Sequence, residues 1–153
     1  MPDALVVSGL GSTTYDVFAA GDRDRNFYLW GAMGGATSIG LGLALAQPDK
    51  PVVVITGDGE QLMGIGSLAT IAAKQPPNLT IVVLDNGHYG ETGMQPSHTS
   101  LGTDLVAVAG GFGIRHAFSA WEPGDAPKIA GWASARPRSA CARFKIDCLS
   151  SSL

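Results

Sequence analysis

Cysteine is scarce in this chain, with two in 153 residues. They are Cys141 and Cys148, and no Cys-x-x-Cys spacing occurs, so no ligand set for a zinc ribbon or an iron–sulfur cluster is written here. The pair is expected as reduced thiols in a cytoplasmic protein. Charge is thin as well: 15% of residues are Asp, Glu, Lys or Arg, against about a quarter in ordinary domains. A surface so short of charge is expected to face another protein in part. The net charge of −3 gives no basic field to recruit nucleic acid, and the acidic residues are scattered with no acidic tail. Long apolar runs are missing too. The longest small-and-apolar stretch, GGATSIGLGLALAQ (34–47), is too short and too glycine-rich to cross a membrane. The opening MPDALVVSG has no basic segment ahead of its apolar residues, which does not fit a signal peptide. What remains is a single domain over residues 1–153, long enough to bury a core without staples.

What is present is an alternation of strand-like and helix-like segments. Strands are expected at ALVVS (4–8), NFYLW (26–30), PVVVIT (51–56) and LTIVVLD (79–85), and later at IRHAF (114–118) and ARFKID (142–147). Helices are expected from Ser12 or Thr13, as cap, toward Ala20, over 34–47, over 61–75, near 103–111, and between the last two strands. The strands are continuous β-branched runs without polar alternation, which marks strands buried on both faces of a parallel sheet. The fold class is therefore α/β: three layers, a doubly wound, mostly parallel sheet flanked by helices. Helix 34–47 carries small residues four apart, as Ala36, Gly40, Ala44 and as Ser38, Gly42, Ala46. Both tight packing on the sheet and packing on another subunit account for that.

Ligands in such folds sit outside the carboxyl ends of the strands, and each unusual run of this sequence falls at such an end. These runs are SGLGST, WGAMGG, TGDGE and DNGHYGETG. In VITGDGE (54–60), Gly57 and Gly59 let a ligand approach the main chain closely, and the amides of Gly59 and Glu60 can donate to an anion. Asp58 between them would repel a phosphate unless a divalent cation intervened. Mg²⁺ takes oxygen ligands from one or two carboxylates together with phosphate oxygens. Asn86, at the end of VVLDNGHYG (82–90), offers a side-chain oxygen, and His88 a backbone carbonyl.

GDGE followed by a helix, a strand and DNGHYG resembles the signature of thiamin-diphosphate enzymes. The resemblance implies a diphosphate-binding domain with thiamin diphosphate and Mg²⁺ as cofactors, the metal held by Asp58, Asn86 and the carbonyl of His88. Gly57, Gly59, Glu60, Tyr89 and Gly90 would surround the cofactor, with Glu60 as a charge at the helix start and no metal ligand. The family often has Asn-Asn where this chain has Asp85-Asn86. LWGAMGG (29–35) is similar to the stretch around the cofactor's rings. It implies that the carbonyl of Gly31 accepts from the 4′-amino group and that Met33 wedges between the rings, the two catalytic positions of this chain. SGLGSTT (8–14) falls where the family contacts the diphosphate, through Gly9, Gly11 and Ser12.

The family's activating Glu belongs to a pyrimidine-binding domain, for which a single domain has no room. The chain is thus expected to be one half of a split enzyme whose alpha subunit supplies that Glu, with self-association into a dimer or higher oligomer. SLATIA (67–72) and YGETGMQPSHTS (89–100) are similar to the beta subunit of sulfopyruvate decarboxylase and to phosphonopyruvate decarboxylases. That implies decarboxylation of a small anionic 2-oxo acid. Thr92, Gln95 and His98 would then donate to its sulfonate or phosphonate; the alternative is a solvated loop with no chemical part. The beta subunit of a 2-oxoacid oxidoreductase, which usually carries cluster cysteines, an acetolactate-synthase-like enzyme and a non-catalytic cofactor-binding homo-oligomer are the other readings. His88 acts by its backbone, His116 is structural at a strand edge, and Trp30, Trp121 and Trp132 are expected in the core or an interface. The tail from about 136 to 153 is expected to be truncated or divergent.

Overall fold

The computed structural model describes residues 3–135 and 140–145. Strand β1 (Leu5–Ser8), helix α1 (Ser12–Ala19), β2 (Asn26–Tyr28), α2 (Ala36–Ala46), β3 (Val52–Gly57), α3 (Asp58–Met63), α4 (Gly66–Lys74) and β4 (Leu79–Asp85) follow in order. Then come a short antiparallel pair, β5 (His88–Tyr89) and β6 (Gln95–Pro96), and α5 (Leu105–Phe112), β7 (His116–Ala120), α6 (Ala126–Ala135) and β8 (Ala140–Lys145). Six strands form one sheet in the order β2-β1-β3-β4-β8-β7, every neighbouring pair parallel. The order reverses between β1 and β3, and at such a point the loops leaving the strands part and open a crevice.

The β-branched runs become the sheet because both faces are covered. Every residue of β4 is buried except Leu84, which is half-buried, whereas in β3 Val52, Val54 and Thr56 are buried and Val53 and Ile55 half-buried. The core gathers Val7, Val52, Val54, Ile81 and Val83 of the sheet with Leu68 and Ile71 of α4 and Leu105 of α5. Each such side chain contributes about 1.5–3 kcal/mol on burial. Helix α2 settles part of the question raised by its small residues. A Cβ on Gly40 would overlap Val54 Cγ2, so the row Ala36, Gly40, Ala44 is the seam against the sheet. The other row is exposed, with Gly42 meeting nothing within 4 Å. Asn78 closes the end of α2, its amide nitrogen lying 3.1, 3.0 and 2.9 Å from the carbonyls of Ala44, Gln47 and Lys50.

Several expectations are corrected. Neither Ser12 nor Thr13 caps α1; Gly11 holds that position without a side-chain bond, and Thr13 donates to Leu10 O at 2.8 Å. The helix expected over 61–75 is two, broken after Met63, because Gly64 meets the backbone of Gly34. Of the tryptophans expected in the core or an interface, Trp30 and Trp121 lie outside the core, being 88% and 62% exposed, which leaves the interface alternative for them. Trp132 packs edge-on against Phe118 at 4.7 Å and His116 at 5.9 Å. Strand β8 occupies 140–145, between β4 and β7; the remainder of the expected tail, with 146, 147 and Cys148, lies outside the described residues.

Cys141 on β8 is buried, and burial pushes its thiol up to about 12. The thiolate is the reactive form, so Cys141 is expected to stay unalkylated by iodoacetamide at pH 8 in the native protein and to react once unfolded. Peptide mapping by mass spectrometry checks this; native-state labelling at Cys141 would show that β8 opens.

Candidate functional site

The carboxyl ends of β1 to β4 open into one cleft of about 450 Å³. The loop after β1 brings Leu10, Gly11, Ser12 and Tyr15 to it, and the segment after β2 brings Trp30, Gly31 and Met33. Gly57, Asp58, Gly59 and Glu60 come from the end of β3 and from α3, and Asn86, His88, Tyr89, Gly90, Glu91 and Thr92 from beyond β4. Gly31 takes φ +85°, a left-handed conformation that glycine adopts without a Cβ penalty. Gly9 sits behind this lining: its N–H donates to Ile55 O at 2.8 Å, and a Cβ there would overlap the carboxylate of Glu60.

Two expectations are redrawn. Glu60 is no open charge at a helix start: it is 4% exposed, in a helix of six residues. Its Oε2 accepts from Leu10 N at 3.2 Å and Thr56 Oγ1 at 2.7 Å, which ties the loop after β1 to β3, while Oε1 is buried with no hydrogen-bond partner among the described residues. Of Thr92, Gln95 and His98, only Thr92 lines the cleft. Gln95 is exposed and donates to Thr92 O at 3.0 Å, and His98 is exposed beyond it.

The inward-facing residues of that loop are Ser97 and Thr99, which sequence reasoning missed. Both are buried, and both reach Oδ2 of Asp58, Ser97 directly and Thr99 at 3.1 Å. Thr99 Oγ1 also lies 2.8 Å from Ser97 Oγ and 2.8 Å from Asp85 Oδ1. Asp85, fully buried, accepts from Gly87 N at 3.0 Å and pairs through Oδ2 with Arg143 Nε of β8. Burial pushes Asp58 above the ordinary carboxylate range, the Ser97 hydrogen bond opposes that, the charge of Asp85 adds to it, and the Thr99 hydrogen bond opposes it. The signal for this network was Arg143 itself: a cation inside an apolar strand of a parallel sheet needs a buried partner.

The donor set fits a divalent cation. Four oxygen–oxygen contacts link Asp58, Ser97, Thr99 and Asp85, and the two hydroxyls have two protons to place in them. Such a cluster is rich in acceptors and favours positive charge beside it. Among the described residues no group of three His, Cys, Asp or Glu side chains could hold a metal. A cation here would draw on the Asp58 carboxylate, on Asn86 Oδ1, which meanwhile accepts from His88 N at 2.9 Å, and on further oxygens. That is the ligand chemistry of Mg²⁺.

Residues 11–136 match the family model described as thiamine pyrophosphate enzyme, C-terminal TPP binding domain. The chain is 48% identical over 110 residues to the sulfopyruvate decarboxylase subunit beta of Methanocaldococcus jannaschii, covering 72% of this chain and 58% of that one. It is 50% identical over 114 residues to the phosphonopyruvate decarboxylase of Streptomyces hygroscopicus, covering 74% of this chain and 28% of that one. It thus spans less than two thirds of the length of these relatives. In fold it is similar to benzoylformate decarboxylase from Polynucleobacter necessarius, with TM-score 0.78 at 20% identity, over 96% of this chain and 30% of that one.

Proposed function

This chain belongs to the family of thiamine pyrophosphate enzymes, as their C-terminal TPP-binding domain, and on that premise we propose that it is the diphosphate-binding half of a 2-oxo acid decarboxylase. The observation that carries the reading is that Asp58 and Asn86, which follow adjacent parallel strands, line one cleft together with Gly31 and Met33. Asp58, Asn86 and the carbonyl of His88 would hold Mg²⁺, and the metal would anchor the cofactor's diphosphate beside Gly11 and Ser12. The Gly31 carbonyl and Met33 would orient its rings. When bound, thiamin diphosphate supplies the electron sink that lets a 2-oxo acid lose CO₂.

The residues of this chain bind and orient; the activating Glu is the task of a pyrimidine-binding alpha subunit. Support for that partner comes from relatives named as beta subunits and from the exposed Trp30 and Tyr15 at the cleft. Names of the relatives likewise support a substrate with a sulfonate or phosphonate next to the 2-oxo acid. Among the described residues no helix is long and apolar enough to cross a membrane. Calorimetric titration with thiamin diphosphate is expected to show binding that requires Mg²⁺. Decarboxylation of 3-sulfo- and 3-phosphono-2-oxo acids is expected only after the alpha subunit is added. Robust turnover by the chain alone would overturn the split site.

A further inference from the structure

The loop after β6 does more than border the cleft. Its two buried hydroxyls converge on one oxygen of Asp58, and neither is explained by packing alone. A hydroxyl buried against apolar surface needs a partner, yet these two are spent on carboxylates that are themselves buried. The loop is fixed at both ends of that short segment: Ser97 N donates to Gly87 O at 2.7 Å, and Ser100 Oγ donates to the same carbonyl at 2.5 Å. Gly87 lies between Asn86 and His88, and its own N–H donates to Asp85. Asp85 is thus a junction. It joins Arg143 of β8, the Asn86–His88 turn and Thr99 in one buried cluster.

The arrangement accounts for an acid rather than an amide at position 85. An amide at position 85 would have no charge to offer Arg143, and a carboxylate there without Arg143 would stand uncompensated beside Asp58. The ion pair keeps the charge of the cluster near balance while its second oxygen, Oδ1, holds Thr99 and the turn.

We propose that the Ser97–Thr99 hydroxyl pair is a positioning device for the divalent-cation site: it grips Oδ2 of Asp58, is anchored through Thr99 to the Asp85–Arg143 ion pair, and leaves Oδ1 of Asp58 for the metal. The inference rests on the proposed metal role of Asp58. Ser97 and Thr99 touch neither substrate nor cofactor in it; they act through Asp58. Partners that orient a metal ligand in this way are worth about 10–100-fold in metal affinity.

The test is the Mg²⁺ concentration needed for half-maximal thiamin diphosphate binding by the full chain, read by calorimetry at saturating cofactor. Thr99→Val keeps the shape and removes the hydroxyl, and it is expected to raise that concentration about 10–100-fold. Thr99→Ser is expected to restore most of the loss. A purely structural Thr99 would lower the melting temperature in Thr99→Val and leave the Mg²⁺ requirement where it was, which overturns the proposal. Should Thr99→Val not fold, Ser97→Ala carries the same readout with the same two outcomes. Wild-type chain that binds the cofactor without any Mg²⁺ dependence would instead remove the metal reading of Asp58, a failure visible before any variant is made.

Discussion

Asp58→Ala is expected to abolish Mg²⁺-dependent binding of thiamin diphosphate, with no titration heat at cofactor concentrations about 100-fold above the wild-type dissociation constant. A loss of that size corresponds to about 2.7 kcal/mol or more. It follows because Asp58 is the single carboxylate of the proposed ligand set. Without it, an amide and a carbonyl face the metal, and neither repays the dehydration of Mg²⁺. The variant should nonetheless fold. Asp58 is 2% exposed, and burial holds its carboxyl above the ordinary carboxylate range, so the folded chain keeps the charge at a cost. Between the ordinary value and the raised one, the native state binds more protons than the unfolded state, so metal-free stability falls as pH rises through that window. Asp58→Asn removes this part of the pH dependence and is expected to flatten the melting-temperature profile of the metal-free chain. Normal cofactor affinity in Asp58→Ala would place the cation elsewhere.

The sheet and the site were legible in the sequence to different depths. Runs such as PVVVIT and LTIVVLD declare buried parallel strands, because only a sheet covered on both faces has use for apolar side chains at every position. With the strands placed, their ends locate the cleft, and GDG and DNG are visible there as residues at odds with an apolar strand. The contacts that hold the cleft in shape were less visible. Ser97 and Thr99 lie in a polar loop where serine and threonine are ordinary, and only the fold shows that alternate residues, with His98 between them, turn inward. Glu60 looked like a favourable charge at a helix start, since local sequence cannot show that Leu10, 50 residues earlier, takes its carboxylate. The break in the expected 61–75 helix had a signal, the pair Gly64 and Gly66, but its cause lay 30 residues away.

That cause yields the second large effect. A Cβ on Gly64 would overlap Gly34 O and stand 3.0 Å from Gly34 C and 3.2 Å from Gly34 Cα, all backbone atoms with no rotamer to escape by. Gly34 answers in kind, since its own Cβ would stand 3.0 Å from Gly64 N, and its φ of +91° suits glycine besides. The two main chains touch because α3, which starts at Asp58, and the segment bearing Gly31 and Met33 both turn into the same cleft. Gly64→Ala must therefore push that segment away from α3. It is expected to cost about 1–3 kcal/mol of stability, as overpacking does, and to weaken cofactor binding by at least about tenfold, since a displacement near 1 Å already spoils positioning. Gly66→Ala is the matched control: a Cβ there meets nothing within 4 Å, at the first residue of α4. It is expected to be neutral or to stabilise by up to about 1 kcal/mol, because alanine restricts the unfolded chain more than glycine does. Urea melts and calorimetric titrations of the two variants side by side decide the matter. If Gly64→Ala proves as harmless as Gly66→Ala, the contact with Gly34 is not what divides the helix, and the coupling between the ring-binding segment and the GDG turn is lost with it.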